Sequence, residues 1–174
     1  YKKLGTDGIY RQNLPFIFSM TTDESKPEGS SLTQHRAEGS NAFNASSSYV
    51  EATWKALYSA IYDANYFIEL MDRKAGTFTE DDQEKCRYYV AEAKALRALL
   101  YFELVRWFGN VPIVLSTADS YKPADAIRQA DPNDVYVQIE NDLKDACAVL
   151  PYSGDADLRA NPSFRFSKGA VLGL

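Results

Sequence analysis

Apolar residues recur at three- and four-residue steps over long stretches of this chain, and polar connections separate those stretches. Trp54, Leu57, Tyr58, Ile61, Ala64, Asn65 and Ile68 share one face of a helix predicted from about Tyr49 to Arg73. That face is a core stripe. Tyr88, Tyr89, Val90, Ala93, Leu96, Leu99, Leu100, Leu104 and Trp107 make the next helix, from near Glu80 to Phe108, apolar on most sides. Such a helix is central and covered on several faces. Its limits are written in its ends. Thr79 is an N-cap, and Glu80, Asp81 and Asp82 complement the dipole of the first turn. Gly109 supplies a left-handed C-cap, and Pro112 bars continuation, so Val111 to Leu115 leaves in an extended conformation. Asp131 and Pro132, as N-cap and first helical residue, open a further helix through Val135, Ile139, Leu143, Ala146 and Leu150, which Pro151 stops.

The signals toward the two ends are weaker. Leu4 to about Phe18 predicts a first helix, although Gly5, Gly8 and Pro15 work against it. Ser167 caps one or two helical turns that run into the end of the chain. With no Met at the start and a helix beginning at the finish, the 174 residues read as a fragment of something longer. The fold class these elements predict is all-α, built of tetratricopeptide-like antiparallel helix pairs with long irregular loops. Trp54-x-x-Leu57 resembles the start of a tetratricopeptide repeat, but neither the usual glycine nor a period of about 34 residues follows, so any repeat is degenerate.

The longest connection is Ser19 to Ser48, rich in Ser, Thr, Asn, Gly, Glu and Asp and without a 3.6-residue period. Loops beyond about 12 to 15 residues are uncommon in compact domains and are usually functional or disordered. This loop is the first functional candidate.

Hydrophobic residues make up 45% and charged residues 25%, as in an ordinary folded, water-soluble protein. The net charge of −5 has the wrong sign for counterion-release binding, which excludes nucleic acid as the expected partner. The longest apolar runs, five residues as in Ala98 to Phe102, are far too short for a bilayer span. Twelve tyrosines, nine phenylalanines and two tryptophans are an unusual ring content, suited equally to wet binding surfaces and to polar-capped helix packing. Cys86 and Cys147 sit in separate helical patterns without metal-ligand spacing and read as buried free thiols. His35 is the sole histidine, so neither a metal nor another cofactor is expected.

The conspicuous motifs read as structure. Trp54, Tyr58 and Asn65 on one helix face are a core ring set with a satisfied buried amide. Arg97, between Glu92 and Tyr101 on a crowded helix, suits a buried or half-buried salt bridge. Phe108-Gly-Asn-Val-Pro112 is a helix stop, lacking the repeated glycines and lysine of a phosphate cradle. Glycoside hydrolysis needs two opposed carboxylates, about 5 to 9.5 Å apart according to mechanism. Asp23 and Glu24 are adjacent, Glu80 to Asp82 serve a helix start, and Asp142 lies on a periodic helix. No catalytic residues emerge, and an enzyme is not expected.

The order of elements carries a resemblance. The chain reads Trp54-x-x-x-Tyr58-x-x-Ile61-x-x-x-Asn65, then Ala91-Glu-Ala-Lys-Ala-Leu-Arg97-Ala-Leu-Leu-Tyr101-Phe-x-Leu104-Val105, then Phe108-Gly-Asn-Val-Pro112-Ile-Val114. Val135-Tyr136-x-x-Ile139-x-x-Asp142-Leu143-x-x-Ala146 follows, closing at Leu150-Pro151. From Tyr49 to Pro151 this resembles the SusD/RagB family, glycan-binding outer-membrane lipoproteins of polysaccharide-utilisation systems in Gram-negative bacteria. Phe166 to Leu174 is similar to the start of the next family helix.

The resemblance implies that residues 1–174 are the N-terminal helical portion of a SusD-like domain whose C-terminal part is absent here. It implies a cell-surface protein that holds an oligosaccharide or polysaccharide and passes it to a SusC-like TonB-dependent transporter. Membrane contact would be only through a lipid anchor outside this chain. In the family, the segment before the Trp-x-x-x-Tyr helix contributes to the ligand surface. Here that segment offers Asp23, Glu24, Gln34, Arg36, Phe43 and Asn44, with Tyr49 at its edge. It lacks the tryptophans many relatives place there, leaving Phe43 or Tyr49 as the stacking ring. The alternative is a helical-repeat scaffold that binds proteins and no sugar.

Overall fold

A computed structural model describes residues 1–24, 47–153 and 165–174. Five α-helices occur among them: α1 (Asn13–Met20), α2 (Ser48–Lys74), α3 (Glu80–Phe108), α4 (Pro132–Val149) and α5 (Lys168–Leu172). No β-strand occurs among the described residues beyond a single antiparallel bridge between Val111 and Ala130. The all-α reading therefore holds, and none of the described helices is long and apolar enough to cross a membrane.

Local chemistry sets three of the helix starts. Thr79 Oγ1 accepts from the Asp82 amide at 3.3 Å, Asp131 Oδ1 from the Asn133 amide at 2.8 Å, and Ser167 Oγ from the Ala170 amide at 3.3 Å. Gly109 ends α3 at φ 66° and ψ −106°. That is a positive φ, as expected, but not the left-handed helical well; its ψ belongs to a region open essentially to glycine alone. The chain then leaves extended, as Pro112 requires.

The chain packs as two compact units, Tyr1–Ala60 and Ile61–Leu174. In the first, the helix predicted over Leu4 to Phe18 is three pieces: a 3₁₀ turn at Lys2–Gly5, a wide turn at Asp7–Arg11, and α1. Thr6 is extended and Ile9 has φ −121° and ψ −117°, so the backbone turns twice before α1 begins. The second of these pieces packs against α2. Gly8 lies so close to α2 that a Cβ there would sit 2.6 Å from Ala56 Cβ. Ile9, Leu14, Ile17 and Met20 are then buried, as are Leu57 and Ala60. Pro15 is tolerated because it falls in the first turn of α1, where its missing N–H has no helical partner to lose. The Asn13 amide donates to Thr53 Oγ1 at 3.1 Å and to the Tyr49 carbonyl at 3.4 Å.

In the second unit α3 is central. Between Ala91 and Val105 it buries eleven side chains on nearly every side, whereas its first two turns are exposed and Tyr89 is only partly covered. Its small residues Ala91 and Ala95 let α4 approach closely through Ala146, and Leu150 and Val171 of the following segments close that cluster. Ion pairs give the register. Lys94 meets Asp145 and, three residues on, Arg97 meets Asp142, three residues back, so α3 and α4 are antiparallel. Asn65 against Arg97 and Met71 against Cys86 set α2 antiparallel to α3 in the same way. Cys86 and Cys147 are free thiols as expected, but half-buried rather than buried.

Candidate functional site

Of the seven residues proposed from the sequence, Gln34, Arg36, Phe43 and Asn44 lie outside the described residues. Asp23 and Glu24 are exposed in the turn that follows α1. Tyr49 is half-buried in the first turn of α2, where its carbonyl is tied to Asn13.

A buried polar network organises the second unit. Arg97 donates from Nε and Nη2 to the two oxygens of Asp142, both at 2.7 Å, and from Nη1 to Asn65 Oδ1 at 2.7 Å. The Asn65 amide donates to the Val114 carbonyl at 2.9 Å. Tyr101 completes the arrangement, donating to the same carbonyl at 2.9 Å and accepting from the Val114 amide at 2.7 Å. Burial, set against the bond from the Val114 amide, pushes the Tyr101 phenol up to about 12. The satisfied amide expected at Asn65 and the salt bridge expected at Arg97 are both present. Glu92, three residues before Ala95, is taken instead by Arg165, whose guanidinium also lies 4.7 Å over the Tyr89 ring. Trp54 and Tyr58 pair with ring centroids 4.8 Å apart but are half-buried, not enclosed in core.

This network anchors the extended Val111–Leu115 strap, and the strap delivers a tight turn to the surface of α2. Glu69 grips that turn with both oxygens, accepting from the Thr117 amide at 2.7 Å and from Thr117 Oγ1 at 2.6 Å. Those bonds, the hydroxyl's first, hold the Glu69 carboxyl below its ordinary value. Within the turn, Asp119 accepts from Lys122 at 2.6 Å and Ser116 at 2.8 Å, which lowers its carboxyl likewise. Tyr121, at the end of the Ala118–Tyr121 3₁₀ turn, is thereby set against Tyr62, two helical turns before Glu69 on α2. Their hydroxyls are 3.1 Å apart and their rings meet edge to face at 6.3 Å. Tyr121 nonetheless remains 76% exposed, and Tyr66, one turn further along α2, is 48% exposed.

Glu69 also lines a groove of about 560 Å³ between α2, α3 and the end of α4, together with Ile68, Met71, Cys86, Val90 and Val149. Sequence reasoning passed over the tyrosine surface. Tyr62 and Tyr66 do stand four residues apart and off the Trp54–Ile68 stripe, which was the available signal.

A family model described as starch-binding associating with outer membrane matches residues 5–174. The chain belongs to the SusD-like family. A SusD-like protein P2 from Formosa agariphila is 28% identical over 152 residues, covering 87% of this chain and 29% of its own. The crystal structure of a SusD homologue from Bacteroides thetaiotaomicron matches with a TM-score of 0.93 and 43% identity, over 99% of this chain and 32% of that one. A laminarin-binding SusD-like protein matches with a TM-score of 0.66 and 29% identity, over 84% of this chain and 29% of that one. The SusD-like chain thus spans about three tenths of the length of these relatives, and its antiparallel helix pairs are the family's tetratricopeptide-like fold.

Proposed function

We propose that this SusD-like chain is the N-terminal helical portion of a glycan-binding protein of the outer-membrane surface. The protein captures an oligosaccharide or polysaccharide, without cleaving it, for uptake through a SusC-like TonB-dependent transporter. The observation that carries this reading is the family match over residues 5–174, supported by relatives that include a laminarin-binding protein. Ser19 to Ser48, with Asp23, Glu24, Gln34, Arg36, Phe43 and Asn44, and with Tyr49 at its edge, is the segment assigned to the ligand. Those residues supply rings for the apolar C–H patches of a sugar and amide, carboxylate and guanidinium groups for its hydroxyls. A lipid anchor outside this stretch would hold the protein to the membrane.

The test is calorimetry or affinity electrophoresis of the full-length protein against plant, host and microbial polysaccharides, with turnover followed in parallel. Saturable binding without product is the expected result. Product formation overturns the non-catalytic reading. Absence of binding across the panel moves the weight to a protein-binding scaffold.

A further inference from the structure

We propose that Tyr62, Tyr66 and Tyr121 form a glycan-contact surface of their own, on α2 and the Ala118–Tyr121 turn, that takes a neutral polysaccharide. It rests on the glycan-binding reading above and lies apart in sequence from the Ser19 to Ser48 segment assigned there.

Three features of the surface point to a sugar. The first is ring exposure held in place. An exposed tyrosine on a loose loop would lose side-chain and backbone freedom on binding, at a cost in affinity. Here the turn is fixed by both Glu69 oxygens on Thr117, by Ser116 and Lys122 on Asp119, and by the strap pinned at Val114. Tyr121 is 76% exposed on a backbone that has already given up its freedom. The second is the kind of ring. Tyrosines offer an apolar face to the C–H surface of a pyranose and a hydroxyl rim to its alcohols. The Tyr62 and Tyr121 hydroxyls, 3.1 Å apart, present two such groups side by side.

The third is charge. The ionic groups acting on Glu69 are Arg73 and Asp119, and Asp119 is itself paired with Lys122. Asp63, exposed beside Tyr62, adds a third carboxylate, so these charges leave no cationic excess around the rings. An anionic, sulfated or uronic polymer gains nothing there, so the ligand that fits is uncharged. Along α2, Tyr62 and Tyr66 are one turn apart, about 6 Å of axial rise, which is on the scale of one sugar unit of an extended chain.

The experiment uses the full-length protein, with laminarin and soluble starch as neutral probes and alginate as the charged one. Tyr121→Ala and Tyr66→Ala should each weaken binding of a neutral probe about fivefold or more while keeping a single cooperative melting transition within a few degrees of the unmutated protein. Tyr121→Phe, which keeps the ring, should recover most of the loss. In the unmutated protein, saturating probe should protect Tyr121 from acetylation by N-acetylimidazole, read by mass spectrometry, whereas alginate should not. Wild-type binding to neutral glucan that both alanine variants retain, with Tyr121 unprotected, overturns the proposal and leaves glycan capture standing. Tighter binding of alginate than of either glucan at this surface also overturns it. Failure of the wild-type protein to bind any polysaccharide removes the reading on which it rests.

Discussion

Arg97 and Asp142 face each other across α3 and α4 in a two-pronged ion pair, with side chains 8% and 3% exposed. Neither charge has water to fall back on. Removing one member leaves the other buried and uncompensated, a loss of about 3–5 kcal/mol in comparable cases. Asp142→Ala or Arg97→Ala should therefore destabilise the full-length protein by that order in urea titrations. Arg97→Met combined with Asp142→Leu should cost less than the two single substitutions summed, because no lone charge remains.

Tyr101 gives a pH signature on the alkaline side. Its phenol, ordinarily at 10, is pushed up to about 12 in the folded protein by burial. A group raised on folding contributes stability that is complete below its unfolded value and is lost as pH rises through the folded one. Unfolding free energy should hold steady to about pH 10 and fall between pH 10 and 12. Tyr101→Phe should be weaker at neutral pH, having lost both bonds to Val114, and should show a shallower alkaline decline. An identical decline in that variant would assign the effect to other tyrosines.

Glu69 gives the opposite signature. Its carboxyl is held below the ordinary 4.5, first by the Thr117 hydroxyl and then by the Thr117 amide. A group lowered on folding contributes stability that is present above its unfolded value and lost as pH falls through the folded one. Protection of the Thr117 amide from hydrogen exchange, corrected for intrinsic rate, should be high at pH 7 and drop below about pH 4.5. Glu69→Gln should show a share of that loss already at pH 7.

Two glycines should fail for different reasons, and one second-site change separates them. Gly8→Ala puts a methyl 2.6 Å from Ala56 Cβ, whereas Gly109→Ala meets open space but must hold φ 66°. Each should lower stability by about 1–3 kcal/mol, the first by overpacking and the second by backbone strain. Ala56→Gly carries its own cost of about 1 kcal/mol in the middle of α2, and in a double-mutant cycle by thermal unfolding it should offset part of the loss in the first variant and none in the second.

These positions also mark what could be read from the sequence. Thr79, Asp131, Pro132 and Ser167 act on residues two or three places away, so helix ends were legible to within a residue. For the helix predicted over Leu4 to Phe18, Gly5, Gly8 and Pro15 warned of weakness, but the seat of Gly8 against Ala56, forty-eight positions on, is visible only in the fold. A salt bridge at Arg97 was foreseeable from a charged residue in an apolar helix, but Asp142 as its partner, forty-five residues away, required the fold. Tyr121 was invisible for the same reason, since its place depends on Glu69 reaching Thr117 across forty-eight residues. Of the segment assigned to the ligand, composition and the family resemblance offered candidates, and Asp23, Glu24 and Tyr49 have a described place.

The pairing of Lys94 with Asp145 and of Arg97 with Asp142 works as a ruler, because the two position numbers sum to the same value in each pair. A single residue inserted between positions 94 and 97, or between 142 and 145, would rotate the helix beyond it by about 100° and break either the first pair or the second. Insertions at residues 125–129, between the Lys122–Asp119 pair and the bridge at Ala130, disturb neither pair and change only a surface connection. Length variation among related chains should therefore collect in that connection, while the spacing from Lys94 to Arg97 and from Asp142 to Asp145 stays constant.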